Sequence, residues 1–122
     1  MEKTLTIETI EHEDGTLEEK KVKFASRGST PMRYRMQFGS DFFIDLMKLE
    51  ALENLSDDPT YEELKGIDMD VIYNITWALA KTADNTIPEP LEWLDQFEQF
   101  PLMDIIPEIQ GLITHSLGTK KK

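Results

Sequence analysis

The sequence predicts a mostly helical α+β fold: an N-terminal β-hairpin followed by about five helices in one compact domain. Two observations carry this. Apolar residues alternate with polar ones only before residue 26, and from Ser29 onward they recur at intervals of three and four. Proline and glycine then punctuate the second part at helix-length intervals. A length of 122 residues fits a single domain, 1–122. Within it the reading places a β-hairpin region over 1–28, a helical region over 29–117 and a flexible basic tail over 118–122.

The hairpin comes first. Leu5 and Ile7 alternate with polar neighbours over residues 4–11, while Ile10 falls out of phase; Val22 and Phe24 alternate over 19–25. Between them His12-Glu13-Asp14-Gly15-Thr16 carries an Asp-Gly turn signal. An isolated hairpin is marginal in water, so it must lie on the helices or add to a sheet in another chain.

The helices follow. Thr30 reads as an N-cap with Pro31 in the first turn and Gly39 as the stop. Ser40 restarts a helix with Asp41 in its first turn. Phe42, Phe43, Leu46, Leu49 and Leu52 share its apolar face, and it ends near Asn54. Ser56-Asp57-Asp58-Pro59 reads as a loop. Thr60-Tyr61-Glu62-Glu63 is a capping box that opens a short helix closed by Gly66. The segment at about 68–84 is the expected centre of the fold. Val71, Ile72, Ile75, Ala78, Leu79 and Thr82 form one stripe on it; Met69, Tyr73 and Trp77 form a second. Asp84 to Pro88 ends it, and a helix from Glu89 to Phe100 carries Trp93, Phe97 and Phe100 along one face. The last helix presents Ile105, Ile106, Ile109, Leu112, Ile113 and Leu117. Pro107 fits its first turn if Asp104 is the N-cap, and otherwise kinks it.

The net charge of −11 is unevenly spread. Residues 50–110 hold 15 Asp/Glu against Lys65 and Lys81, a local net of −13; residues 1–49 hold 9 acidic and 8 basic side chains. Such a surface repels nucleic-acid phosphates and anionic membranes, and it attracts a basic or amphipathic partner or simply keeps the chain in solution. No apolar run approaches the roughly 20 residues of a membrane span. The first residues lack a hydrophobic signal core, so a cytosolic location is expected.

The chemistry expected of this sequence is binding, without catalytic, cofactor or metal residues. Zero cysteines exclude disulfides and thiolate sites. His12 and His115 fit no metal spacing, and Asp57-Asp58 lacks the alternating oxygen ligands of a calcium loop. Ser29, Ser40 and Ser56 stand at cap positions rather than in a nucleophile elbow. Arg33 and Arg35 are too few for a nucleic-acid footprint; they suit the acidic half of the chain or a partner's carboxylate. The candidate partner-binding residues are Tyr73, Trp77, Trp93, Phe97, Phe100 and Ile109. Aromatics at helical spacing build cores. Any left exposed beside Glu92, Asp95, Glu98 and Asp104 would instead grip an amphipathic helix with a basic polar face.

Four blocks in order resemble the tail assembly chaperones of long-tailed phages and prophages of Gram-positive bacteria. They are Lys23-Phe24-Ala25-Ser26-Arg27-Gly28-Ser29-Thr30-Pro31, Tyr34-Arg35-Met36-Gln37-Phe38-Gly39-Ser40-Asp41, Ala78-Leu79-Ala80-Lys81-Thr82-Ala83-Asp84, and Glu92-Trp93-Leu94-Asp95-Gln96-Phe97 running into Ile106-Pro107-Glu108-Ile109. The resemblance implies a non-enzymatic protein of the host bacterial cytoplasm, absent from the mature virion. It would bind the tape measure protein and keep it soluble until tail-tube subunits polymerise around it. Implied further partners are the tail tube protein and a longer form of the same chain, made by a −1 frameshift near the codons for Lys120-Lys121-Lys122. Homo-oligomerisation is left open. Two other readings compete: an acidic DNA-mimic decoy, motivated by the −13 over residues 50–110, and a structural tail component.

Overall fold

The computed structural model describes residues 1–49, 58 and 60–116. Strands β1 (Glu2–Glu11) and β2 (Leu17–Ala25) pair antiparallel, from Glu2 opposite Ala25 to Glu11 opposite Leu17. The turn uses Gly15 at φ +87°, which a side chain would strain, and Asp14 Oδ1 accepts from the Thr16 N–H at 3.0 Å and its hydroxyl at 2.6 Å. The register slips by one residue between Thr6 and Glu8. That bulge explains the phase break in the sequence. Leu5 and Ile7 face inward before it, whereas Glu8 and Ile10 are the half-buried pair after it.

Six helices follow among the described residues: α1 (Thr30–Phe38), α2 (Phe42–Met47), α3 (Tyr61–Lys65), α4 (Met69–Ala83), α5 (Pro90–Leu94) and α6 (Leu102–Ser116). The hairpin lies on its own helices: β2 packs on α4, and α6 covers both strands and touches α4. Phe24, Val22 and Ile7 enter a core with Ile72, Ile75, Leu79, Ile109 and Leu112. At about 25 cal/mol per Å² of apolar surface removed from water, burial of this set is the main favourable contribution to the fold. No described helix is long and apolar enough to cross a membrane.

The caps hold with two shifts of one residue. Ser29 stands at the N-cap position of α1 without a side-chain capping bond, and the buried Thr30 hydroxyl accepts from the Arg27 N–H at 3.1 Å and pairs with the Thr82 hydroxyl at 3.1 Å. Asp41 stands outside α2 as its cap and accepts from Phe43 N and Ile44 N. Gly39 stops α1 at φ +72°. Thr60 caps α3 through the Glu63 N–H at 3.2 Å, and Asp68 caps α4 through the Val71 N–H at 3.3 Å. On α2, Phe42, Leu46 and the following Leu49 are buried but Phe43 is exposed, so the apolar face is narrower than the sequence suggests. Leu52, Asn54, Ser56, Asp57, Pro59, Leu117 and the tail 118–122 lie outside the described residues.

One expectation fails, and one of the two options for Pro107 is excluded. The helix expected from Glu89 to Phe100 stops at Leu94, because the chain tightens: Gln96 N and Phe97 N bond three residues back, to Trp93 O and Leu94 O at 3.1 Å each. The next amides are taken by the hairpin. The Glu8 carboxylate accepts from Glu98 N at 3.2 Å and Gln99 N at 3.3 Å, and the Lys20 ammonium donates to Gln96 O. The last helix starts at Leu102, so Asp104 is not its cap and Pro107 lies inside it. The carbonyl of Met103 loses its helical donor there, and Met103 is exposed, so water can serve it.

Candidate functional site

The structure divides the six candidate residues between two aromatic clusters and the core. Tyr73, Trp93, Phe97 and Phe100 come together. Trp93 meets Phe100 at 5.2 Å and Phe97 at 5.8 Å between ring centroids, Phe97 meets Phe100 at 5.5 Å, and Tyr73 reaches Phe100 at 6.3 Å. The ring pairs are edge-on or tilted, the arrangement the aromatic quadrupole favours. Trp77 belongs elsewhere. It packs edge-on against Phe38 at 5.5 Å, in a chain of rings that continues through Tyr34 to Phe42, and its Nε1 donates to Pro88 O at 2.9 Å.

Burial decides what these residues can touch. Trp77 and Trp93 are each 3% exposed and Ile109 is 0% exposed, while Tyr73, Phe97 and Phe100 are partly buried against the same core. Of the six, both tryptophans and Ile109 belong to the core, and only Tyr73, Phe97 and Phe100 keep part of their surface in solvent near Glu92, Asp95, Glu98 and Asp104. Arg27 ties the blocks further, its Nη1 donating to Thr82 O at 2.7 Å.

Most of the large apolar side chains exposed among the described residues lie instead on the first helices, the others being Met1, Leu17, Leu91 and Met103. Met32 and Met36 on α1, Phe43, Ile44 and Met47 on α2, Tyr61 and Leu64 on α3, and Met69 at the start of α4 all face solvent. The periodicity placed Phe43 and Met69 on apolar faces and marked none of the others; those on α1, α2 and α4 share a helix with core residues, whereas α3 buries none of its residues. The one signal was the excess of methionine on short helices.

Two grooves border the clusters. One, of about 440 Å³, runs between α1 and α4 and is lined by Ser29, Met32, Arg33, Met36, Gln37, Trp77 and Lys81. The other, of about 420 Å³, separates β2 from the segment after α4, with Lys20, Lys21 and Lys23 above Trp93 and Phe97. Its lysines are already engaged: Lys20 with Glu8 at 3.5 Å, Lys21 with Glu19 at 3.5 Å and Lys23 with Glu2 at 3.0 Å.

One buried polar pair was not anticipated. Tyr34 is fully buried, and its hydroxyl donates to Asp45 Oδ2 at 2.6 Å; Asp45 in turn meets Lys48 at 3.5 Å. Burial, and then the Asp45 carboxylate, push the Tyr34 phenol far above its ordinary range, so it stays protonated and donates. His12 meets Glu18 at 3.3 Å, and His115 Nδ1 meets the Ser26 hydroxyl at 2.9 Å. Among the described residues no group of three His, Asp or Glu side chains is gathered to hold a metal ion. No protein-family model, curated protein or solved structure matches this chain.

Proposed function

We propose that this chain is a tail assembly chaperone of a long-tailed phage or prophage, which binds the tape measure protein and keeps it soluble before tail-tube polymerisation. Two lines support the reading. The four sequence blocks, taken in order, resemble that family, and one observation of the surface suits the task. Eight of the twelve large apolar side chains exposed among the described residues fall between Met32 and Met69, and four of the eight are methionines. Methionine is unbranched and polarizable, so a surface rich in it adapts to many apolar ridges along a long client. The mechanism is binding alone. Apolar ridges of the client are sheltered by many weak contacts, whose multiplicity gives avidity while each copy can still be displaced.

The test is co-expression with the tape measure protein encoded beside this chain, followed by size-exclusion chromatography. The reading expects a soluble tape measure that co-elutes with several copies of the chain. A tape measure left insoluble by the wild-type chain, both alone and with the downstream frame fused after Thr119, would overturn it. Recovery of the chain in purified virions would favour a structural tail component instead.

A further inference from the structure

We infer that the groove between α1 and α4 docks an amphipathic helix carrying a carboxylate beside its apolar ridge. The inference rests on the client-binding reading above and gives it a site and a chemistry. Met32 and Met36 stand one turn apart on α1, hence on one face, and are 60% and 81% exposed. The nearly buried Trp77 ring supplies the α4 side of the same groove. This surface fits an apolar ridge of helical spacing.

Charge selects the occupant. Arg33 lies between the two methionines in sequence and lines the same groove. Its Nε is buried and has no hydrogen-bond partner among the described residues. A cationic N–H removed from water without an acceptor is costly, which holds the Arg33 head in a strained setting. That atom is closed to solvent, so a docked carboxylate would meet the outer N–H groups of the guanidinium, which match it with two parallel bonds. On the α4 wall the Lys81 ammonium donates to Asn85 O at 2.8 Å and to Ile87 O, which leaves one of its three N–H groups for an acceptor. Among the described residues no Asp or Glu lines the groove, and the lining Gln37 holds Glu89 at 2.7 Å. In a chain of net −11 the charged groups that line this groove are both cations, while the nearest carboxylates, Glu89 on Gln37 and Asp84 beside Lys81, stand outside its lining. The β2 groove has more lysines, but each already has a carboxylate. The basic polar face expected of a partner from overall charge is therefore reversed at this site.

Fluorescence anisotropy with labelled model helices tests the inference. Three peptides of about 20 residues, long enough to be helical, share one Leu ridge and differ only in whether Glu, Gln or Lys flanks it. The Glu peptide should bind roughly ten-fold tighter than the Gln peptide, the scale of one charge-assisted hydrogen bond. Arg33→Gln should abolish that difference while leaving binding of the Gln peptide in place. Met36→Asp changes an exposed side chain that the fold does not need, and it should weaken the Glu peptide most. Equal affinities for the Glu and Gln peptides, or tightest binding of the Lys peptide, would overturn the inference. Arg33→Gln in the tape measure co-expression separates the two proposals. If the wild type solubilises the client and the variant does so equally, the site is wrong and the function stands. If the peptides discriminate while no client is solubilised, the site stands and the function is wrong.

Discussion

Trp93 illustrates how residue identity and residue role part company. Its spacing with Phe97 and Phe100 is legible in the sequence, and so is their meeting in space. Their side of the fold is not: the same spacing suits a core or a docking ridge, and only burial separates the two. Trp93 is buried and meets two rings edge-on. Trp93→Ala should therefore cost about 3–5 kcal/mol of stability, the range for deleting a buried aromatic. Urea denaturation followed by far-UV circular dichroism measures this. An unchanged midpoint in a variant that has lost client binding would return Trp93 to the interface. Tyr34 makes the complementary case: a ring next to two arginines reads as surface, but its hydroxyl is the donor that lets Asp45 be buried. Nothing local in the sequence pairs those two positions.

At the scale of elements, the strands and four of the six helices were legible because caps and breakers are local chemistry. Asp14-Gly15, Gly39, Thr60 and Asp68 act within a few residues of themselves. The segment after Leu94 follows a different rule. Its residues favour a longer helix, and the Glu8 carboxylate, aimed there by the bulge in β1, draws two backbone N–H groups out of the helical ladder. Burial raises the Glu8 pKa, and the two N–H groups and Lys20 lower it by more, so the net shift is downward from 4.5. The folded state then binds the Glu8 proton less tightly than the unfolded chain. Glu8 contributes stability above about pH 4.5, and that contribution fades as pH falls through the lowered folded value. Glu8→Gln should flatten the acid side of the stability curve, as read from thermal midpoints between about pH 3 and pH 7. A variant whose curve runs parallel to the wild type would show that Glu8 holds nothing.

For the whole molecule, the question was whether the hairpin completes its own core or another chain's sheet. Phe24 is 0% exposed, and β2 lies on α4 while α6 spans both strands. Residues 29–122 alone should therefore lose cooperative unfolding, because removing the hairpin uncovers Ile72, Ile75, Leu79 and Ile109. A sharp thermal transition in that fragment would show that the helices form a domain by themselves. The same arrangement places the charged strands β1 and β2 apart from the exposed Met32, Met36 and Met47 of α1 and α2. That separation leaves apolar side chains on the first helices facing solvent, away from the charged strands.

The sequence by itself determined the α+β class, the hairpin turn, the central helix and the caps at Gly39, Thr60 and Gly66, since these follow from periodicity and from hydrogen bonds within one turn. Only the tertiary structure decided where the Glu89 to Phe100 segment bends, because its competing acceptor comes from Glu8, 90 residues away. It also decided which apolar residues face water. A helix buries whichever stripe its neighbours cover, and α4 lies under α1 and β2, so Trp77 sank into the core while Met32 and Met36 stayed outside.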